Sequence, residues 1–133
     1  MRIKQIVIAS LSTALVAASL VLVSPQPAVA GKRCLEAGSD QSVVEGRLGL
    51  QEGLGPAAFI VVLPAGLCLT GRDAHDRIDQ AHSVQLYATS ADGFQELYGM
   101  VGERVYVRGR ASGQRTFQQR APILLEVIEI ATR

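Results

Sequence analysis

Three separated stretches of this 133-residue chain alternate apolar and polar residues with a period of two, and any fold must satisfy that repeat. In "SVVEGRLGL", Val44, Gly46, Leu48 and Leu50 share one side, and Val43, Glu45, Arg47 and Gly49 share the other. "SVQLYA" sets Val84, Leu86 and Ala88 against Ser83, Gln85 and Tyr87. "ERVYVRGRA" sets Val105 and Val107 against Arg104, Tyr106, Arg108 and Arg110. Successive side chains of an extended chain point to opposite faces. Each stretch therefore predicts a strand with one face on a core and the other on water.

Two further stretches are apolar without that alternation. "AAFIVVL", bounded by Pro56 and Pro64, predicts a strand buried on both faces or enclosed in a barrel. "APILLEVIEI" loses its alternation at Leu124-Leu125, as strands do at a bulge or where both faces are covered. "QEGLGP" supplies turn residues, and "PAGLCLT" lets the chain bend on its way to Cys68. "GRDAHDRIDQAH" carries no apolar stripe and predicts a loop or a short helical turn. In "SADGFQELYGMVG" the period changes. Phe94, Leu97 and Met100 or Val101 recur at helical spacing after Asp92, a good N-cap, so a short helix should end near Gly99 or Gly102.

The expected class is all-β with one short helix. The order β-β-β-α-β-β on a chain this short points to a five-stranded OB-like barrel, with an SH3-like barrel as the alternative. No internal repeat and no low-complexity segment interrupts it.

The N-terminus reads as a leader. Arg2 and Lys4 precede an apolar run from Ile6 to Val23, and "SPQPAVA" ends in the small residues Ala28-Val29-Ala30. These three parts form a secretory signal with cleavage expected after Ala30, leaving residues 31–133 as one domain of about 100 residues. An uncleaved signal would be the chain's sole link to a membrane. Lipid attachment is excluded at Cys34, because Arg33 stands where a small residue is needed. The expected location is the periplasm or the medium. In such an oxidising compartment the two cysteines, Cys34 and Cys68, predict one disulfide closing a loop of about 35 residues, a constraint of roughly 3–4 kcal/mol in the chain-entropy picture. No C-x-x-C spacing suggests redox or metal chemistry for the pair.

Losing Arg2 and Lys4 takes the formal charge from +1 to about −1, which argues against a general polyanion binder. The distribution is uneven, however. Arg104, Arg108, Arg110, Arg115 and Arg120 follow one another with no intervening acid, whereas Asp73, Asp76 and Asp79 cluster earlier.

The ordered set "VVEGRLGL", "GPAAFIVVLPAGLCL", "VQLYA", "LYGMVGERVYVRGR" and "PILLEV", with its paired cysteines, resembles a family of small exported bacterial domains catalogued as domain of unknown function 4431. The likeness runs over residues 34–130. It implies a secreted β-barrel module and carries no activity with it. A histidine-rich loop before the last strand, which would imply metal, is a feature of many members. Here Gln118, Gln119 and Arg120 occupy that place, so a metal role does not carry over to this loop.

The connection between the fourth and fifth expected strands is the candidate ligand site. In an OB barrel it helps frame the ligand face. Arg104, Arg108, Arg110, Arg115 and Arg120 could grip an anion with their planar forks, and Phe117 could stack on it. The plainer reading is a solvated hairpin whose arginines keep an edge wet. Nucleic acid is disfavoured, since Tyr87, Tyr106 and Phe117 are the only candidate stacking residues and the chain is exported. His75, Asp79 and His82 would align as weak metal candidates if their segment were helical. Ser83 beside His82 forms a triad only on paper. No phosphate-binding loop or dinucleotide motif appears, so no cofactor is expected.

These residues predict a non-enzymatic binding or interaction module. Its expected partner is an anionic envelope component or an acidic patch on an envelope protein. The alternatives are a small metal-dependent or hydrolytic envelope enzyme around His75 and His82, and a structural envelope protein.

Overall fold

The computed structural model describes residues 33–53, 55–116 and 118–133. The expected leader and cleavage site, and Phe117, lie outside the described residues. The strands are β1 (Cys34–Glu36), β2 (Ser42–Gln51), β3 (Ala58–Thr70), β4 (Ile78–Tyr87), β5 (Arg104–Gly113) and β6 (Ile123–Thr132). A single 3₁₀ turn, Ala74–Asp76, precedes β4, and one helix, α1 (Ala91–Gly99), separates β4 from β5. The all-β class with one short helix is therefore as expected.

The sheet is continuous around a ring. β2 pairs antiparallel with β3 and with β5, β5 with β6, and β3 with β4, while β4 and β6 run parallel and complete the circuit. Residues of the alternating stretches and of the two apolar runs fill the interior. Leu48, Val61, Val84, Val105, Val107, Ile123 and Leu125 are all fully buried. In the alternating stretches their neighbours, such as Arg47, Gln85, Arg104 and Arg108, turn to the other face.

The described residues form six strands where the sequence predicted five. The additional one, β1, runs parallel to the far end of β3, with Cys34 directly opposite Cys68 and joined to it by the disulfide. Three residues are too few for alternation to register, and Leu35 is the only one that enters the core. Three other expectations are corrected in detail. "AAFIVVL" is not buried on both faces, because Val62 is 59% exposed between buried Val61 and Leu63. The helix is capped by Ser90, not Asp92; the Ser90 hydroxyl accepts from the Gly93 N–H at 3.1 Å. The break in "APILLEVIEI" at Leu124-Leu125 reflects burial of both residues, whereas the register shift falls later, between the Arg108 and Gly109 pairings.

α1 closes one end of the ring. Leu97 is its buried anchor, and Tyr98 meets Phe59 of β3 edge-on at 4.9 Å. The helix breaks off after Gly99, and Gly102 adopts φ +90, a left-handed conformation that side chains resist. Gly102 then donates to the Leu48 carbonyl at 2.7 Å and starts the ladder to β5.

Gly46 marks where β2 passes closest to β3. A Cβ there would run into the backbone carbonyl of Val62 and the side chain of Val61. Backbone cannot move aside as a flexible side-chain tip can. Gly46→Ala should cost on the order of 1–3 kcal/mol by overpacking, measured by urea denaturation, while Gly49→Ala, whose nearest neighbour is 3.8 Å away, should cost far less.

Candidate functional site

Along the chain the five arginines meet no acid, but in space Arg104, Arg108, Arg110 and Arg115 do. β5 turns Arg104, Tyr106, Arg108 and Arg110 outward as its alternation requires, and the register brings carboxylates from other strands beside them. Arg104 Nε lies 3.5 Å from Glu45 of β2. Arg108 reaches Glu129 of β6 at 3.3 Å and also donates to the Asp40 carbonyl at 3.1 Å. Arg110 faces Glu126 of β6 at 3.4 Å. These pairs are largely solvated and contribute roughly 0–1 kcal/mol each.

The connection from residue 114 to 122 is tied to itself and to the 3₁₀ turn. Gln119 Oε1 accepts the N–H groups of Arg115 and Thr116, and Gln114 Nε2 donates to the Gln119 carbonyl at 2.7 Å. Arg115 bridges Asp73 at 3.4 Å and Asp76 at 3.0 Å, so the basic stretch and the aspartate cluster satisfy one another. Asp76 also accepts the Gly113 N–H at 2.8 Å, which anchors the turn over the end of β5. Arg120 donates its backbone N–H to Gln85 at 2.7 Å. Its guanidinium lies over the β2–β3 turn, where a Cβ on Gly53 would sit 3.0 Å from Nη1. Arg104, Arg108 and Arg110 thus share the outer face of β5, each beside a carboxylate, while Arg115 is held at the 3₁₀ turn and Arg120 lies over the β2–β3 turn.

Neither chemical alternative is assembled. The segment holding His75, Asp79 and His82 is a single helical turn followed by a strand, so the helical alignment of the three is lost. Among the described residues no group of three or more His, Cys, Asp or Glu is placed to hold a metal ion. His82 and Ser83 are consecutive in β4 between buried Ala81 and Val84, and among the described residues no hydrogen bond joins His82 to Ser83 or to an acid, so the paper triad is not formed. Tyr87 is half-buried beside Glu126, and Tyr106 is covered by the Arg133 guanidinium 5.0 Å from its ring centre, so these two rings form no stacking platform.

A different surface stands out. An open groove of about 590 Å³ runs over the outer face of β2 and β3, with Val62, Pro64 and Val101 as its apolar wall. Arg47 and Arg104 also line it, and they occupy directly paired positions of β2 and β5. Like charges placed opposite each other in a ladder are unfavourable. Here they are separated by their attachments, Arg47 to the Gly102 carbonyl at 2.6 Å and Arg104 to Glu45. A second hollow of about 460 Å³ shares Pro64 and Arg104 with the first and extends to Arg33. Glu45 is shared between Arg104 and Arg133, the latter at 3.8 Å. Of this set the sequence had pointed only to Arg104. Arg33 and Arg47 belong to distant segments, and Val62 was hidden within a run read as wholly buried.

Comparison of the chain with family models and with curated proteins found no match.

The ion pairs have a pH signature. Asp73 is held below the usual carboxylate range, first by the His75 N–H and then by Arg115. A carboxylate lowered in this way stabilises the fold above its ordinary value of about 3.9 and loses that contribution as pH falls through the folded value. The melting temperature of Arg115→Ala should therefore lie below that of wild type at neutral pH, and the gap should narrow as the solution is acidified below about pH 4. Asp76→Ala, which strands the part-buried Gly113 N–H, should cost about 1–3 kcal/mol, whereas Asp79→Ala, exposed on β4, should cost little; denaturant midpoints distinguish them.

Proposed function

We propose that this protein is an exported binding module with an OB-like barrel, and that it takes an acidic polypeptide segment in the groove over β2 and β3. The strand circuit β2-β3-β4-β6-β5, with its one helix between β4 and β5, supports the OB-like reading over the SH3-like one. The disulfide suits an oxidising compartment, and no helix among the described residues is long and apolar enough to cross a membrane. With the leader pattern, these features favour export, and the fold and location accord with the domain family that the sequence resembles.

The observation that carries the binding reading is Val62. A β-branched residue left 59% exposed in mid-strand, beside Pro64 and Val101 and flanked by Arg47 and Arg104, with Arg33 in the adjoining hollow, makes an apolar contact surface with a basic rim. Each guanidinium has five donors, and the contacts described above occupy only part of them. A partner that offers carboxylates around an aliphatic side chain complements both features. The volume is within the usual range for ligand sites, about 300–1,000 Å³.

The test is a ¹⁵N-NMR titration of the mature protein with a short glutamate-rich peptide carrying one leucine, against a lysine-rich counterpart. The acidic peptide should shift the amides of Gly46, Arg47, Val62 and Gly102 and bind more weakly as salt rises. Replacing Arg47 and Arg104 together with glutamine should weaken binding about tenfold or more with the fold intact. Shifts confined to residues 114–122, or equal binding of the basic peptide, would refute the assignment. Intact mass under non-reducing conditions tests export separately: the secreted form should begin at Gly31 and be two hydrogens lighter than its reduced chain.

A further inference from the structure

The second half of β6 has one neighbour where the first half has two. β4 pairs with Ile123 through Glu126 and then leaves for α1, while β5 follows β6 on its other side as far as Thr132. The Arg133 N–H donates to the Arg104 carbonyl at 2.9 Å. Backbone groups alternate sides along an antiparallel strand. Glu129, Ala131 and Arg133 therefore address β5, and Ile130 and Thr132 turn their N–H and C=O groups the other way. Among the described residues no other strand pairs with residues 127–132.

The composition of this edge is unusual. "VIEIAT" is rich in β-branched residues, Ile128 is 45% exposed, and Glu129, its one charge, is engaged by Arg108. The register shift at Ile128 kinks its start, and past that point it has neither the lysine nor the proline that commonly blunts an open edge against pairing.

We propose that this edge pairs with the same edge of a second copy, giving a two-fold antiparallel β6–β6 dimer. The sequence is self-complementary in that arrangement. With the axis at Ala131, beyond the register shift that drops Ile128 from the ladder, Ile130 of each copy faces Thr132 of the other. Both pairs on that face are then β-branched. On the opposite face Glu129 lies across from Arg133 of the other copy, so Arg133, with Arg108, offsets each Glu129 carboxylate. A two-fold interface needs one patch that complements itself, and this edge does so in backbone, shape and charge. The surface is separate from the β2–β3 groove, so the dimer stands or falls independently of the proposed ligand.

Light scattering across a concentration series of the mature protein tests it, together with hydrogen exchange at low and high concentration. Wild type should shift from monomer to dimer, with the Ile130 and Thr132 amides exchanging several-fold more slowly in the dimer. Thr132→Lys puts a charge opposite Ile130 of the other copy, and Thr132→Pro removes an outward N–H while sparing the β5 ladder. Both should be monomeric with unchanged circular dichroism. Should Thr132→Pro fail to fold, exchange in wild type decides. A wild-type chain that stays monomeric at all concentrations overturns the proposal, as does a dimer in which those two amides exchange at the monomer's rate.

Discussion

β2 has different partners on its two edges, and the change-over at Arg47 sets the outer surface of the molecule. Its first half pairs with β5 as far as Arg47↔Arg104, and its second half pairs with β3 from Arg47↔Val62 onward. One residue therefore stands in both ladders. The strand must pass close over β3 to manage this, and Gly46, with no side chain, lets the Val62 carbonyl approach. The hydrophobic interior could be filled by many sequences of similar volume. This crossing could not, because it depends on one backbone contact.

The groove is a consequence of the crossing. Where β2 moves from one neighbour to the other, Val62 is left without a covering side chain, and Arg47 and Arg104 are brought face to face beside it. The same register explains why the arginine-rich β5 is quiet elsewhere. Glu126 and Glu129 are delivered by β6, and Asp73 and Asp76 by the 3₁₀ turn. A basic run in sequence becomes a set of local ion pairs, and the net positive surface shifts to the place where Glu45 alone serves two arginines.

Alternation was sufficient to read β2, β5, the second half of β4 and the class of the fold, since the burial of Val44, Leu48, Val84, Leu86, Val105 and Val107 follows the period of two. The first half of β4, Ile78–His82, carries no regular apolar alternation and reads as part of a loop or helical turn. The disulfide was legible from the cysteine count and the leader. β1 was not, because its position is fixed by Cys68 across a long loop rather than by any local pattern. Val62 was misread for the related reason that a continuous apolar run conceals which face loses its cover. The groove was beyond reach of a linear reading, since Arg33, Arg47 and Arg104 come together only through strand order.

The central claim is that the contact surface is the β2–β3 groove and not the arginine-bearing connection before β6. Site-specific photocrosslinking compares them directly, with benzoylphenylalanine placed at position 62 in one variant and at position 118 in another, each irradiated with the same acidic, leucine-bearing peptide. The account predicts crosslinked product from position 62 and none above background from position 118. Product from position 118 with none from position 62 would contradict it.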